Sequence, residues 1–168
     1  MTYHEMEESL KTRLEECLKK VRMKNKENVL VPIEIKTGEL PPRNVVPEGA
    51  KEFPYVLIRP YKGEDTAEES TVTVILLLGI IAGNEKPANK IDTMELHNYE
   101  NAHKDLMRMI QIIRRSVLSN DILGENFSFK KQFKWQIYLE QPYPYMYADI
   151  ELLIKVPQVE FEIMEDEF

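Results

Sequence analysis

The chain has 168 residues, 43% of them hydrophobic and 30% charged, which is enough for one domain (1–168) with a real core and too apolar for a disordered chain. Its formal net charge of -7 repels phosphate, so nucleic-acid or anionic-membrane binding through the whole surface is disfavoured. The one cysteine, Cys17, rules out an internal disulfide and fits a reducing compartment.

The first residues, MTYHEMEESL, are polar and acidic rather than a signal-peptide apolar run. Met6, Leu10, Leu14, Cys17, Leu18 and Val21 then recur at spacings of three and four, predicting an amphipathic helix of about five turns. It should fade in the polar run 24–28. Cys17 falls on the apolar stripe and reads as a small buried hydrophobe rather than a reactive thiol.

Val29, Val31, Ile33 and Ile35 alternate with Leu30, Pro32, Glu34 and Lys36, predicting a half-buried strand. Pro32 cannot donate to a ladder, which makes it an edge strand. Residues 37–52 form a Pro/Gly-rich connection crossing the surface. A second strand follows over 53–59 (FPYVLIR), then a polar, mainly acidic turn over 62–70, KGEDTAEES.

Residues 71–82 predict the most buried strand. Its even positions Val72, Val74, Leu76, Leu78 and Ile80 are all apolar, and its odd positions turn apolar at Ile75, Leu77 and Ile81. A sheet with helices on one side does not need that. Something must cover Ile75 and Leu77, and a neighbouring subunit is one candidate. The run 74–82 (VILLLGIIA) is about half the length of a membrane helix. No membrane span and a cytoplasmic location are therefore expected. Gly79 within it reads as a bulge or a close approach.

A second helix is predicted over 96–119, with Tyr99, Ala102, Leu106, Met109, Ile110, Ile113 and Val117 buried. Arg114 and Arg115 in its last turns complement the helix dipole. Phe127, Phe129, Phe133, Trp135, Ile137 and Leu139 share one parity with Lys131, against Ser128, Lys130, Gln132, Lys134, Gln136 and Glu140, predicting a long amphipathic strand. The turn QPYPY ends it. Ala148, Ile150, Leu152, Ile154 and Val156 mark a last core strand, and an acidic tail fills 160–168. The resulting order predicts an α+β fold, a mostly antiparallel sheet of about five strands with two helices packed on one face.

Catalytic patterns are missing. His97 and His103, six residues apart, lie about 240° apart around a helix. No HExxH, CxxC, GxSxG or Gly-rich phosphate loop occurs, so no catalytic residue, cofactor or metal is expected. Lysines interleave with aromatics in FSFKKQFKWQIYL, as in a single-strand nucleic-acid surface, but parity places Phe133 and Trp135 opposite Lys130 and Lys134. Glu64, Asp65, Glu68 and Glu69 make the 62–70 turn too rich in like charge to fold by itself, so it and the 160–168 tail are either solvated loops or assembly contacts. With Ile75 and Leu77, these four acids are the candidate contact residues.

VPEGAKEFPYVLIRP (46–60), YENAHKDLMRMIQIIRRSVL (99–118) and EQPYPYMYADIELLIKVP (140–157) follow one another in an order that resembles the tail terminator, or tail completion, proteins of siphophages. The resemblance departs at Asn98, where the family often carries glycine. It implies a non-enzymatic, two-helix α+β ring, usually a hexamer, that caps the tail tube. Such a ring meets the tube protein and the head connector, lets DNA pass through its channel, and moves from the host cytoplasm into the virion. Another phage neck or head-completion protein is the alternative. A small-ligand binder or enzyme is a third reading, and it would need a polar pocket that the sequence does not advertise.

Overall fold

In a computed structural model the chain is described over residues 3–38, 53–82, 93–141 and 144–159, with the backbone alone over 93–100. The connection 39–52, the stretch 83–92 and the tail 160–168 lie outside the described residues, as does the Tyr99 side chain.

Helix α1 spans Tyr3–Leu18 and buries Met6, Leu10, Leu14 and Leu18, a strict i, i+4 stripe. It stops one turn earlier than the periodicity suggested. Val21 N–H closes on the Leu18 carbonyl at 3.0 Å, and the chain leaves in an extended conformation. The polar run after it is a hairpin tip rather than a fading helix. Strands β1 (Arg22–Lys24) and β2 (Leu30–Pro32) pair antiparallel as a separate small sheet. Asn25 Oδ1 accepts the N–H groups of Glu27 and Val29, both at 3.0 Å, and Asn28 sits at φ 60°. Asparagine suits both roles, because its side chain replaces a backbone acceptor and it tolerates the left-handed region.

The single strand expected over 29–35 is thus divided at Ile33. Leu30–Pro32 belongs to the small sheet, and β3 (Glu34–Thr37) pairs in parallel with β4 (Tyr55–Asp65). Ile33 and Ile35 are buried as their parity predicted, whereas Val29 is 52% exposed because it lies on the hairpin tip. Pro32 stands at the exposed edge of the two-stranded sheet, where its missing N–H costs no ladder bond.

β4 and β5 (Ser70–Ile81) form a long antiparallel hairpin whose ladder reaches Asp65↔Ser70, with a bulge at Pro60/Lys62. Most of the predicted 62–70 turn is therefore strand, and only Thr66 to Glu69 turn the chain. Helix α2 spans Thr93–Ser119. After it come β6 (Ile122–Leu123), β7 (Phe127–Ile137) and β8 (Tyr145–Val156). The large sheet runs β3-β4-β5-β8-β7-β6, so the described residues form six strands in it and two beside it, against the five expected. Every pairing in the large sheet except β3–β4 is antiparallel. The fold is α+β.

β5 and β8 pair over their whole lengths in the middle of the sheet, which is why both are the most apolar strands. Their inward residues, including Val74, Leu76, Leu78, Ile150, Leu152 and Ile154, share one cluster with Leu10 and Leu14 of α1 and Leu106, Ile110 and Ile113 of α2. Both helices therefore cover the same face. The C-terminal end of α2 has no basic residue in its last turn. Arg114 and Arg115 lie a turn earlier and are exposed. Arg13 of α1 takes the dipole role expected of them. Its guanidinium donates to the carbonyls of Ser116 (3.1 Å), Asn120 (3.2 Å) and Ile122, and stands 5.6 Å from the Phe129 ring centre.

One core expectation fails on β7. Phe127 and Phe129 are buried and Phe133 and Ile137 are half-buried, but Trp135 is 45% exposed and Leu139, past the strand end, is fully exposed. Between Phe129↔Ile154 and Phe133↔Leu152 the strand carries two extra residues. Beyond that irregularity β7 pairs only with β8 among the described residues. Trp135 keeps the inward parity, opposite the buried Ile150, with no further strand beside it among the described residues.

Candidate functional site

Of the six candidate contact residues, Ile75, Leu77 and Glu64 lie on the sheet face turned away from the helices, Asp65 has the opposite parity, and Glu68 and Glu69 lie in the hairpin turn. Across that face, β4, β5, β8 and β7 bring together Leu57↔Leu77↔Asp149↔Gln136 in one row and Arg59↔Ile75↔Glu151↔Lys134 in the next. This face divides into an aromatic end, a polar middle and the hairpin tip.

At the aromatic end Phe53, Tyr55, Leu57 and Ile81 form a second buried cluster, with Leu77, Tyr145 and Tyr147 packed against it. Phe53 stacks on Tyr145 at 4.9 Å between ring centres and lies 5.2 Å from Tyr55. The Tyr55 ring lies directly over Gly79: a Cβ there would stand 2.5 Å from Cε1 and 2.8 Å from Oη. Gly79 is the close approach that its place in the strand suggested. Lys26 Nζ, from the small hairpin, reaches 5.7 Å from the Phe53 ring and 5.8 Å from Tyr145, and Lys36 Nζ 5.8 Å from Tyr55. Leu77 is thus half-buried against aromatics of its own chain, which share the covering for which a neighbouring subunit was one candidate. Ile75 stays half-exposed and belongs to neither apolar cluster.

In the polar middle, Asp149 accepts from Gln136 Nε2 at 2.8 Å. Burial, and then the charge and hydrogen bond of the same carboxylate, push the Tyr138 hydroxyl above the ordinary tyrosine range, while Arg59 pulls it back. Lys134 lies 3.6 Å from Glu151. Sequence reasoning missed this cluster, since its members sit on three strands whose register only the pairing reveals. The one available signal was the alternation of Tyr147, Asp149 and Glu151 on the outward parity of the last strand.

The hairpin tip is ordered by Thr66. Its N–H and hydroxyl donate to the Glu69 carbonyl at 2.8 and 3.0 Å, and its Oγ1 accepts from the N–H groups of Glu68 and Glu69 at 3.3 and 3.1 Å. Gln158, beyond β8, donates to the Thr66 carbonyl at 3.2 Å. Glu69 Oε2 meets Lys130 Nζ of β7 at 2.6 Å, and this hydrogen bond holds the carboxyl below the ordinary glutamate range. The turn expected not to fold by itself is thus held in part by Lys130 and Gln158 from elsewhere in the chain. Glu64 and Asp65 stand in the ladder with exposed side chains, Glu68 is exposed, and Glu69 is paired. Lys62, Glu64, Glu69, Thr71, Thr73 and Leu153 rim a shallow hollow of about 340 Å³ beside the tip.

Elsewhere, Cys17 is half-buried and donates to the Leu14 carbonyl at 3.5 Å. Burial pushes its thiol up, against the opposing pull of Ser116 and Arg13. Burial also raises Asp105 on α2, opposed by Arg108 and Lys24. His103 is exposed, and the His97 side chain lies outside the described residues. Among the described residues no three His, Cys, Asp or Glu side chains converge to hold a metal ion, and no helix is long and apolar enough to cross a membrane.

Fold and surface together define a two-layer α+β arrangement with one sheet face covered by the helices except at the β7 edge and one face left partly open, bounded by an acidic hairpin. No protein-family model matches the chain, and no curated protein is significantly similar to it.

Proposed function

We propose that the protein is a non-enzymatic virion component that caps a phage tail tube as a ring, usually a hexamer in the family it resembles, and joins the tube to the head connector. The observation that carries this reading is the resemblance of 46–60, 99–118 and 140–157, in that order, to siphophage tail terminators. Within these runs 55–60 lies in β4, 101–118 along the core stripe of α2 and 145–156 in the central strand β8. A cyclic ring requires two different patches per subunit. The half-open sheet face and the exposed β7 edge are two such patches. On this reading the acidic surface lines a channel through which DNA slides without sticking. Assembly occurs in the host cytoplasm, and the ring ends in the virion tail.

Deleting the gene from the phage that carries it, and imaging the tails, tests this. Tubes of uncontrolled length, returned to one length by the protein supplied in trans, are expected. Tails of normal length, with heads that fail to join or leak DNA, would instead make it a neck protein. Normal virions would remove it from the tail altogether.

A further inference from the structure

The outer stripe of α2 and the tip of the β4–β5 hairpin carry opposite charges that do not meet within the chain. Lys104, Arg108, Gln111, Arg115 and Leu118 fall within about 80° of one another around the helix, and all five are exposed. No carboxylate occurs between Asp105 and Asp121 of this acidic chain. On the hairpin Glu64, Asp65 and Glu68 are exposed, and no Lys or Arg occurs from Gly63 to Ser70. Several other lysines are matched nearby: Lys19 meets Glu16, Lys36 meets Glu34, Lys130 meets Glu69 and Lys134 meets Glu151. Among the described residues Arg108, Arg115, Glu64, Asp65 and Glu68 form no ion pair. Each patch also holds a large exposed apolar side chain. Tyr61, just before the hairpin tip, is 68% exposed, and Leu118, at the end of the stripe, is 39% exposed.

We infer that the acidic hairpin of one copy of this chain docks on the basic α2 stripe of a second copy. The two patches are different surfaces, so the contact is head-to-tail and leaves one patch of each kind free for a further copy. Opposed charge sets the register and speeds the encounter, and the planar guanidinium groups of Arg108 and Arg115 suit carboxylate acceptors. Exposed ion pairs are individually weak, so Tyr61 and Leu118 supply the apolar contact that charge does not. The inference concerns how copies of this chain meet and does not rest on the tail reading. Gene deletion tests that role, and either idea can fail without the other.

Two full-length variants test the contact, R108E/R115E and E64K/D65K/E68K, by sedimentation velocity at low salt over a range of protein concentrations. The wild-type protein should associate, less so as salt rises. Each variant alone should associate about tenfold or more weakly, because like charges then face each other. An equimolar mixture of the two should regain association, since the reversed hairpin of one meets the reversed helix of the other. That recovery also excludes misfolding as the cause of the loss. Tyr61→Ser and Leu118→Ser should each weaken association of the wild-type charge pattern at low and at high salt. A wild-type protein that stays monomeric at every concentration would overturn the inference. So would undiminished association of either charge variant alone, or a mixture that does not associate. Monomers that bind single-stranded oligothymidine through Arg108 and Arg115 would overturn it in favour of a nucleic-acid backbone.

Discussion

At the residue scale the tightest constraint is the pair Tyr55↔Gly79. The two residues face each other across β4 and β5, and the phenol ring occupies the space that any Cβ at position 79 would need. Gly79→Ala should therefore cost about 1–3 kcal/mol, as overpacked sites do. The penalty should vanish in a Tyr55→Ala background, even though that substitution is itself destabilising. Chemical denaturation of the four proteins of this cycle measures the coupling. An equal cost of Gly79→Ala in both backgrounds would place the constraint in the strand backbone and not in the ring. Glycine in a central strand ordinarily weakens it, so its presence here needs such a partner.

At the element scale two side chains join pieces of chain that are far apart in sequence. Arg13 ties α1 to the C-terminal end of α2 and to the turn into β6 through three carbonyls. Arg13→Ala leaves those acceptors without their charged donor, and the expected loss is about 1–3 kcal/mol by thermal or denaturant unfolding. Arg13→Lys should recover only part of it, because an ammonium cannot reach three acceptors as a planar fork does. Full recovery with lysine would mean that charge alone matters. Glu69 ties the β4–β5 tip to β7. Lys130 lowers its carboxyl, so its contribution is present above the ordinary glutamate pKa and is lost as pH falls through the lowered folded value. Amide exchange at 66–69, corrected for its intrinsic pH dependence, should therefore accelerate across the acid range below the ordinary glutamate pKa. Glu69→Gln should remove that dependence. A tip that exchanges identically in both proteins would show that the Thr66 turn needs no ion pair.

At the scale of the whole molecule the acidic hairpin tests the assembly reading. Glu69 belongs to the fold, so the residues to replace are Glu64, Asp65 and Glu68, all exposed. Changing these three to Ser should leave the isolated protein within about 0.5 kcal/mol of its stability, as exposed substitutions usually do. If the proposed tail role holds, the same triple variant should lower the yield of correctly ended tails or slow DNA passage. Normal tail length and normal infectivity would return the hairpin to the role of a solvated turn. At the aromatic end of the open face Leu77 is already half-buried against its own chain's aromatic cluster, whereas the equally half-buried Ile75 belongs to neither apolar cluster.

Periodicity alone determined much of this molecule. The i, i+4 stripe of Met6, Leu10 and Leu14, the stripe from Ala102 to Val117, and the even positions of β5 and β8 are all buried as read, because a helix or strand must turn its apolar side to the core. The class, α+β with two helices on one sheet face, follows from those faces. Tertiary structure decided what periodicity cannot encode. Parity states which way Trp135 points but not how far it is covered, and at the edge beyond the β7 irregularity it is left 45% exposed. The division of 29–35 between two sheets, and the parallel pairing of β3 with β4, depend on which strand lies alongside and not on the alternation within one strand. The charge of the hairpin likewise looked self-repelling in one dimension. In three dimensions Lys130, sixty-one residues further on, sits against Glu69. Sequence spacing measures distance along the chain, whereas Coulomb energy and burial depend on distance through space.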